Sequence, residues 1–301
     1  MECRNVEVSI IVPFYRGNQY IKRLFRTVDQ NVKRIREKYE NIGIELIIVN
    51  DSPEMKVQSI SSNPIYSINI INHEKNCGIH KARVTGLLFS NGRYIAFLDQ
   101  DDEWDEMFLV SQYEKLGMAD VVVSNAWIEQ CDGSKVLLYR SKLHFKNVLN
   151  KSAYIKSHNQ ITSPGQCLIR REAIPEEWIK FITPINGSDD LLLWLLMLGK
   201  GANFVLNEKA LYIHRYTGGN LSAEIDNMNQ SSLSFISCLK KANVCNSYEL
   251  NAFERARNYR TEVVERNLLG RMRLTIRNFD LFLPRFWWKI QQKINKYNVK
   301  L

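Results

Sequence analysis

Tyr94-Ile95-Ala96-Phe97-Leu98-Asp99-Gln100-Asp101-Asp102 sets a short apolar run directly against three carboxylates. The run follows the turn pair Asn91-Gly92, which predicts a buried strand from Tyr94 to Asp99. Carboxylates crowded past the end of a strand repel one another, and they are stable as anions only beside a cation or hydrogen-bond donors. A divalent metal meets that need. Hard oxygen ligands suit Mg or Mn, which commonly bind one or two carboxylates together with substrate phosphates. The plain alternative is a solvated acidic turn that caps the next helix.

Outward from this stretch, the chain repeats one rhythm. Val6–Pro13 alternates and then runs apolar, as a strand entering a two-sided sheet does. Asn18 is placed to cap a helix whose apolar positions Ile21, Leu24, Phe25, Val28, Val32, Ile35 and Tyr39 keep helical spacing, with Gly43 as its stop. Ile44–Asp51 predicts a second strand with a carboxylate at its carboxyl end, Ile65–Asn72 a weaker one, and Ile79–Ser90 a helix. Strand and helix alternating in this way imply a parallel sheet with right-handed crossovers. Ligands of such sheets bind outside the strands' carboxyl ends, so Asp51 and the Asp99 cluster should face one crevice. No Gly-x-Gly-x-x-Gly follows the first strand, which excludes the dinucleotide fingerprint. Asp120–Ile128 and Lys135–Arg140 read as a hairpin turning at Asp132-Gly133, and Ser188-Asp189-Asp190 opens a helix with the apolar run Leu191–Leu198. After about Ala223 the strand signals stop and helices follow, giving an expected division into residues 1–223 and 224–301.

Composition narrows the class. The chain has 301 residues, 45% of them hydrophobic and 24% charged, which excludes disorder and small disulfide scaffolds. Leu191–Leu198 is the longest unbroken apolar stretch, far short of the roughly 20 residues of a spanning helix. Met1–Glu7 lacks the basic-then-apolar pattern of a secretory signal, and the six cysteines lack Cys-x-x-Cys spacing, so free thiols and a cytoplasmic setting are expected. The net charge of +9 sits entirely in residues 238–301, which hold 14 Lys and Arg against 5 Asp and Glu. A basic tail of this kind points to an anionic surface.

Four segments together resemble family 2 glycosyltransferases of the GT-A fold, which are nucleotide-sugar-dependent and inverting. Ser9–Tyr15 is similar to the family's opening strand, Glu45–Ser52 to its second, Asn76–Arg83 to the segment before the metal motif, and Phe97–Asp102 to the Asp-x-Asp metal motif itself. The resemblance covers roughly residues 6–222. It implies an α/β GT-A fold, Rossmann-like, with a mostly parallel central sheet flanked by helices and a C-terminal helical extension. It also implies that Pro13 and Tyr15 line a base pocket, that Asp51 hydrogen-bonds the base, usually uracil, and that Arg83 and Gln100 lie near the nucleotide. Asp99 would face the ribose and share the metal with Asp101. One departure is Ser52-Pro53 where the family commonly has Gly-Ser.

The later segments extend the resemblance. Thr162–Arg171 is similar to the acceptor-side strand, placing Gly165 and Gln166 beside the acceptor. Ser188–Trp194 resembles the Glu-Asp motif, which makes Asp190 the base, with Asp189 in the place of the more usual Glu. Acids at a helix start are also plain capping residues. Tyr212–Ser222 is similar to a closing motif with Thr217 at the expected His place, so His214, three residues earlier, is the candidate for the metal and diphosphate, or a structural His.

The tail adds partners. Arg255, Arg257, Arg260, Arg266, Arg271, Arg273 and Arg277 punctuate a helical stretch with Leu268, Leu269, Met272 and Ile276 on its apolar side. Pro284, placed at a first helical turn, precedes a stripe of Phe286, Trp287, Ile290, Ile294 and Tyr297 with Lys289, Lys293, Lys296 and Lys300. Aromatics and cations on an amphipathic helix point to interfacial attachment at the inner face of a membrane. Packing on the catalytic region or against a second copy in a homodimer is the alternative. The expected partners are thus a nucleotide-sugar donor, a glycan or lipid-linked glycan acceptor and a membrane surface. Nucleic acid is not expected, because no binding motif accompanies the basic tail. The rival reading is a non-catalytic nucleotide-sugar-binding or scaffold protein of the same fold.

Overall fold

Val6–Phe14 forms strand β1, and its Val8, Ile10, Ile11 and Val12 are fully buried because sheet and helices cover both faces. The computed structural model describes residues 6–58, 65–217, 224–265 and 267–293. Gly218–Ser222 of the expected closing motif, Arg266, and the tail residues Ile294, Lys296, Tyr297 and Lys300 lie outside the described residues. The described chain falls into two units, one of Met1–Leu137, Ser163–Ile174 and Ala202–Gly218, the other of Leu138–Thr162, Pro175–Gly201 and Gly219–Leu301.

The first unit is the sheet unit. After β1 come helix α1 (Ile21–Lys38), strands β2 (Gly43–Asn50) and β3 (Ser67–Asn72), helix α2 (Ile79–Phe89) and strand β4 (Tyr94–Phe97). β5 (Glu103–Trp104), helix α3 (Phe108–Lys115), β6 (Val121–Glu129), β7 (Lys135–Leu137), β8 (Cys167–Arg170) and β9 (Phe204–Arg215) complete it. The spatial order is β3-β2-β1-β4-β8-β6-β9-β5, with β7 paired to β6. The half predicted from the alternating rhythm is parallel throughout: β1 lies between β2 and β4, and β3 edges β2. Beyond β4 the sheet is mixed, since β8 runs antiparallel to β4 and β6 while β6 and β9 are parallel. β3 is the exposed edge, which accounts for its weaker pattern. The hairpin of β6 and β7 forms as expected, with Gly133 at positive φ in its turn.

Helix α1 buries Ile21, Leu24, Phe25, Val28, Val32 and Ile35, but its ends differ from the sequence reading. Asn18 does not cap it: its amide donates to the Lys56 carbonyl at 3.0 Å and accepts from the Gln58 N–H at 3.1 Å, tying together two loops. Gly43 does not stop it either. The helix closes at Tyr39, whose N–H reaches the Ile35 carbonyl, and Gly43 opens β2 opposite Val6.

The second unit is helical among the described residues. It comprises α4 (Lys142–Phe145), α5 (Lys151–Lys156), α6 (Glu176–Lys180), α7 (Asp189–Gly199), α8 (Ile225–Ser234), α9 (Ile236–Lys241), α10 (Ser247–Glu265), α11 (Leu268–Arg277) and α12 (Phe279–Lys293). α7 is apolar all round and buried from Asp189 to Met197, as a helix inside a core should be. Pro284 sits inside α12 rather than at its start. The break falls earlier, at Asn278, whose carbonyl accepts the N–H groups of Leu281 and Phe282. No described helix is long and apolar enough to cross a membrane, and the five described cysteines are free.

Candidate functional site

The carboxyl ends of β1, β2 and β4 gather most of the expected residues within the sheet unit. Asp51 follows β2, and its backbone N–H donates to the Phe14 carbonyl at 2.7 Å, closing β2 onto the end of β1. Its buried carboxylate accepts from the N–H groups of Cys77 (2.7 Å) and Gly78 (2.8 Å), and His73 Nδ1 lies 2.8 Å away. Gly78 has φ of +86°, a conformation side chains resist, and this turn brings two consecutive N–H groups onto one carboxylate. Asp51 therefore braces the start of α2 and keeps one lone pair, on Oδ2, for a further donor. Ser52, in the unusual Ser-Pro pair, accepts the Arg16 N–H at 2.7 Å.

Pro13 is buried in β1 opposite Val49, and Tyr15 stands half-exposed just beyond. Gln100 links the two loops with a paired contact: its Oε1 accepts the Tyr15 N–H and its Nε2 donates to the Tyr15 carbonyl, both at 2.8 Å. Asp99 is held from two sides, by Arg83 Nη2 at 2.7 Å and by the Ser163 hydroxyl at 2.8 Å. Burial pushes its carboxyl up, but the Arg83 charge and these hydrogen bonds more than offset that and hold it below the ordinary range.

The three acids have separate environments. Asp102 is almost fully buried and is committed to β9: it accepts from the Tyr212 hydroxyl and from the Arg215 N–H at 2.9 Å, with His214 Nδ1 at 3.2 Å. Among the described residues, the Asp101 carboxylate accepts from its own backbone N–H and from no other residue's side chain. Burial, then the charges of Asp102 and Asp99, raise its carboxyl to about 7. Burial alone would lower His214, yet Asp102, Asp99 and Asp101 raise it above its usual value. A carboxylate on one ring nitrogen is the arrangement that orients a metal-ligating His through the other.

These residues fit a divalent cation. Asp101 is the crowded carboxylate that a cation would relieve, and His214 is oriented by Asp102 with Nε2 remaining. Asp99, Asp101 and His214 are not drawn into one tight set. Among the described residues, the group with ligand atoms all within 4.8 Å is Asp51, His73 and Cys77. Its hydrogen bonds already account for it, since His73 Nε2 contacts Thr85 Oγ1 at 2.9 Å and Nδ1 contacts Asp51.

On the expected acceptor side, Gly165 lies where a Cβ would come within 2.6 Å of the Tyr212 ring, and its carbonyl accepts from Trp104 Nε1 at 2.8 Å. Gln166 is fully buried, with its side-chain amide on the Ser124 carbonyl and its own carbonyl accepting from Gln112. Its side chain thus belongs to the core beneath Gly165. Ser163, which no motif singled out, is the residue here that touches Asp99.

Asp189 and Asp190 begin α7 in the helical unit, and both are buried. Asp190 Oδ2 accepts from Asn159 Nδ2 at 2.7 Å, while the Asp189 carbonyl accepts from Trp178 Nε1 at 2.8 Å. The Ser188 N–H donates to Ser231 Oγ and its hydroxyl to the Met228 carbonyl, so α8 fixes the turn that presents the two acids. Asn159 carried no sequence signal, because it lies in a short irregular stretch without periodicity.

The family model described as glycosyl transferase family 2 matches residues 9–178. The chain is 26% identical over 231 residues to glycosyltransferase GlyA of Streptococcus pneumoniae, covering 72% of this chain and 31% of that protein. It is 28% identical over 252 residues to the Escherichia coli UDP-Glc:alpha-D-GlcNAc-diphosphoundecaprenol beta-1,3-glucosyltransferase WfaP, covering 82% and 89%. The chain spans a third or less of the length of several curated relatives, GlyA among them. Residues 1–349 of S. aureus TarS in complex with UDP-GlcNAc superpose with a TM-score of 0.61 at 15% identity, covering 95% of this chain and 88% of that one. That likeness shows the fold, the GT-A arrangement with C-terminal helices.

Proposed function

The chain belongs to glycosyl transferase family 2, and from that premise we propose that it transfers a hexosyl group from a UDP-sugar to a hydroxyl of a glycan acceptor, inverting the anomeric centre. The observation that carries this reading is the split among three closely spaced acids: Asp99 held by Arg83 and Ser163, Asp102 locked to β9, and Asp101 left crowded by the other two. UDP as the nucleotide is supported by the name of WfaP and by the ligand of TarS.

In this reading Pro13, Tyr15 and Asp51 receive the base, Arg83, Asp99 and Gln100 hold the ribose and diphosphate side, and Asp101 with Asp99 and His214 would hold Mn or Mg. The metal, when bound, stabilises negative charge on the departing diphosphate. Asp190 takes the proton of the acceptor hydroxyl as it attacks the anomeric carbon, because a sugar hydroxyl is a poor nucleophile unaided. Asn159 and the α7 turn keep that carboxylate in place, and Asp189 is its neighbour in the pair. Attack from the face opposite the leaving group converts an α-linked donor to a β linkage. Gly165 keeps the acceptor side open, with Gln166 supporting it from below.

Residues 1–223 carry the catalysis and residues 224–301 the attachment. The WfaP name, with its diphosphoundecaprenol acceptor, supports a lipid-linked substrate in surface polysaccharide synthesis and a position at the inner face of the membrane. Leu268 and Ile276 of α11, about three-quarters exposed beside Arg271, Arg273 and Arg277, support that position. The test is Asp190→Asn. It should retain UDP-sugar binding and lose transfer by about 100-fold or more, the size of a general-base contribution. Transfer at the parent rate contradicts the assignment.

A further inference from the structure

A cavity of about 140 Å³ lies within the helical unit, between the Asn147–Gln160 stretch and α12. An engineered apolar cavity of about 150 Å³ takes up benzene, so a bulkier hydroxylated ring would seat one face here and leave its rim at the open mouth. Its lining is neutral: Asn147, Asn150 and Gln160 on one side, Trp287, Trp288 and Gln291 on the other, with only Ser, Ala and Pro besides. A phosphate, a carboxylate or a nucleoside diphosphate finds no cation there among the described residues.

Two buried amides leave hydrogen-bonding capacity at this cavity. Gln291 is 1% exposed, and its Oε1 accepts from Asn147 Nδ2 at 2.7 Å, while its Nε2 makes no hydrogen bond among the described residues. Gln160 is 5% exposed, and its Nε2 donates to the His158 carbonyl at 2.8 Å, while its Oε1 makes none among them. Both atoms reach the solvent of the cavity rather than being enclosed by protein, so a donor and an acceptor line it for a ligand. Trp288 is fixed by edge contacts with His144 and His158, at centroid distances of 5.9 and 4.1 Å. Trp287 is half-exposed at the rim.

We propose that this pocket binds one neutral pyranose unit of a glycan. A pyranose has an apolar C–H face for an indole and a rim of hydroxyls that both donate and accept, matching Gln291 Nε2 and Gln160 Oε1. The choice of a glycan over other neutral rings rests on the transferase reading above, while the neutral, ring-sized, amide-lined character does not. The lining residues all belong to the helical unit, whereas the expected nucleotide residues belong to the sheet unit.

The test is titration of the full chain with glucose, N-acetylglucosamine and their β-linked dimers, followed by indole emission and saturation-transfer NMR. Saturable binding is expected, weakened about tenfold or more by Trp287→Ala and by Gln291→Leu. Glucose 6-phosphate and free uridine should bind more weakly. Trp287 is half-exposed, so its variant keeps the test valid if the Gln291 variant fails to fold. Absence of saturable binding by folded parent protein, binding unchanged in Trp287→Ala, or uridine binding as well as the sugars overturns the proposal. Metal-dependent UDP-sugar binding on the same samples separates the two readings. Sugar binding lost with donor binding intact counts against the pocket alone, and the reverse counts against the transferase.

Discussion

Arg83 and Asp99 form a pair in which neither charge stands alone. Arg83 is 4% exposed and donates to Asp99 at 2.7 Å, with Ser163 on the other oxygen. Removing one partner of a buried pair leaves the other charge uncompensated, at a cost of about 3–5 kcal/mol. Arg83→Met should therefore lower stability by about that amount in urea unfolding, and adding Asp99→Asn should restore part of it. Independent, additive effects of the two substitutions contradict the coupling. The sequence showed that an acid cluster follows β4 but not how its members divide, since three acids within four residues share one local pattern. Only the fold reveals that Tyr212 and the Arg215 N–H, more than a hundred residues on, take up Asp102 and leave Asp101.

At the scale of elements, the close approach of the Pro164–Gln166 turn to β9 sets the floor beneath Asp99. A Cβ at residue 165 would meet Tyr212 at 2.6 Å, and that ring is anchored by Asp102. Gly165→Ala should destabilise by about 1–3 kcal/mol through overpacking, read as a lower urea midpoint at unchanged slope. An unchanged midpoint means that Tyr212 yields freely. In the helical unit, His144 of α4 is buried against Tyr139 and Trp288, with Nδ1 lacking a hydrogen bond among the described residues. Burial, then Arg140, pushes it from 6.5 down to about 4. Between those values the unfolded chain takes up a proton that the folded chain refuses, so stability falls as pH drops from 6.5 toward 4. The loss is of the order of 3 kcal/mol at most. His144→Phe should flatten that slope, and an unaltered slope assigns it to other groups. Strands β1, β2 and β4 were legible because burial on both faces writes long apolar runs. β5, with two residues, and α4, with four, are too short for any period to register.

For the whole molecule, the uneven charge distribution has a structural counterpart. α11 carries three arginines and no acid, and Leu268, Leu269, Met272 and Ile276 are exposed on it. A pairing of cations with exposed apolar side chains binds anionic interfaces through both terms. Vesicles with anionic lipid should pellet the protein at low salt and release much of it at high salt, whereas neutral vesicles should not. Equal binding to both, or none, contradicts an electrostatic attachment through α11. The central claim concerns the acid cluster and is tested most directly by calorimetric titration of UDP-glucose and UDP-N-acetylglucosamine into the parent chain and Asp101→Ala, each with Mn and with chelator. Saturable binding of a donor by the parent chain with Mn is expected, and its loss with chelator or on removal of the Asp101 carboxylate. Binding that survives both changes rules out a metal held by Asp101.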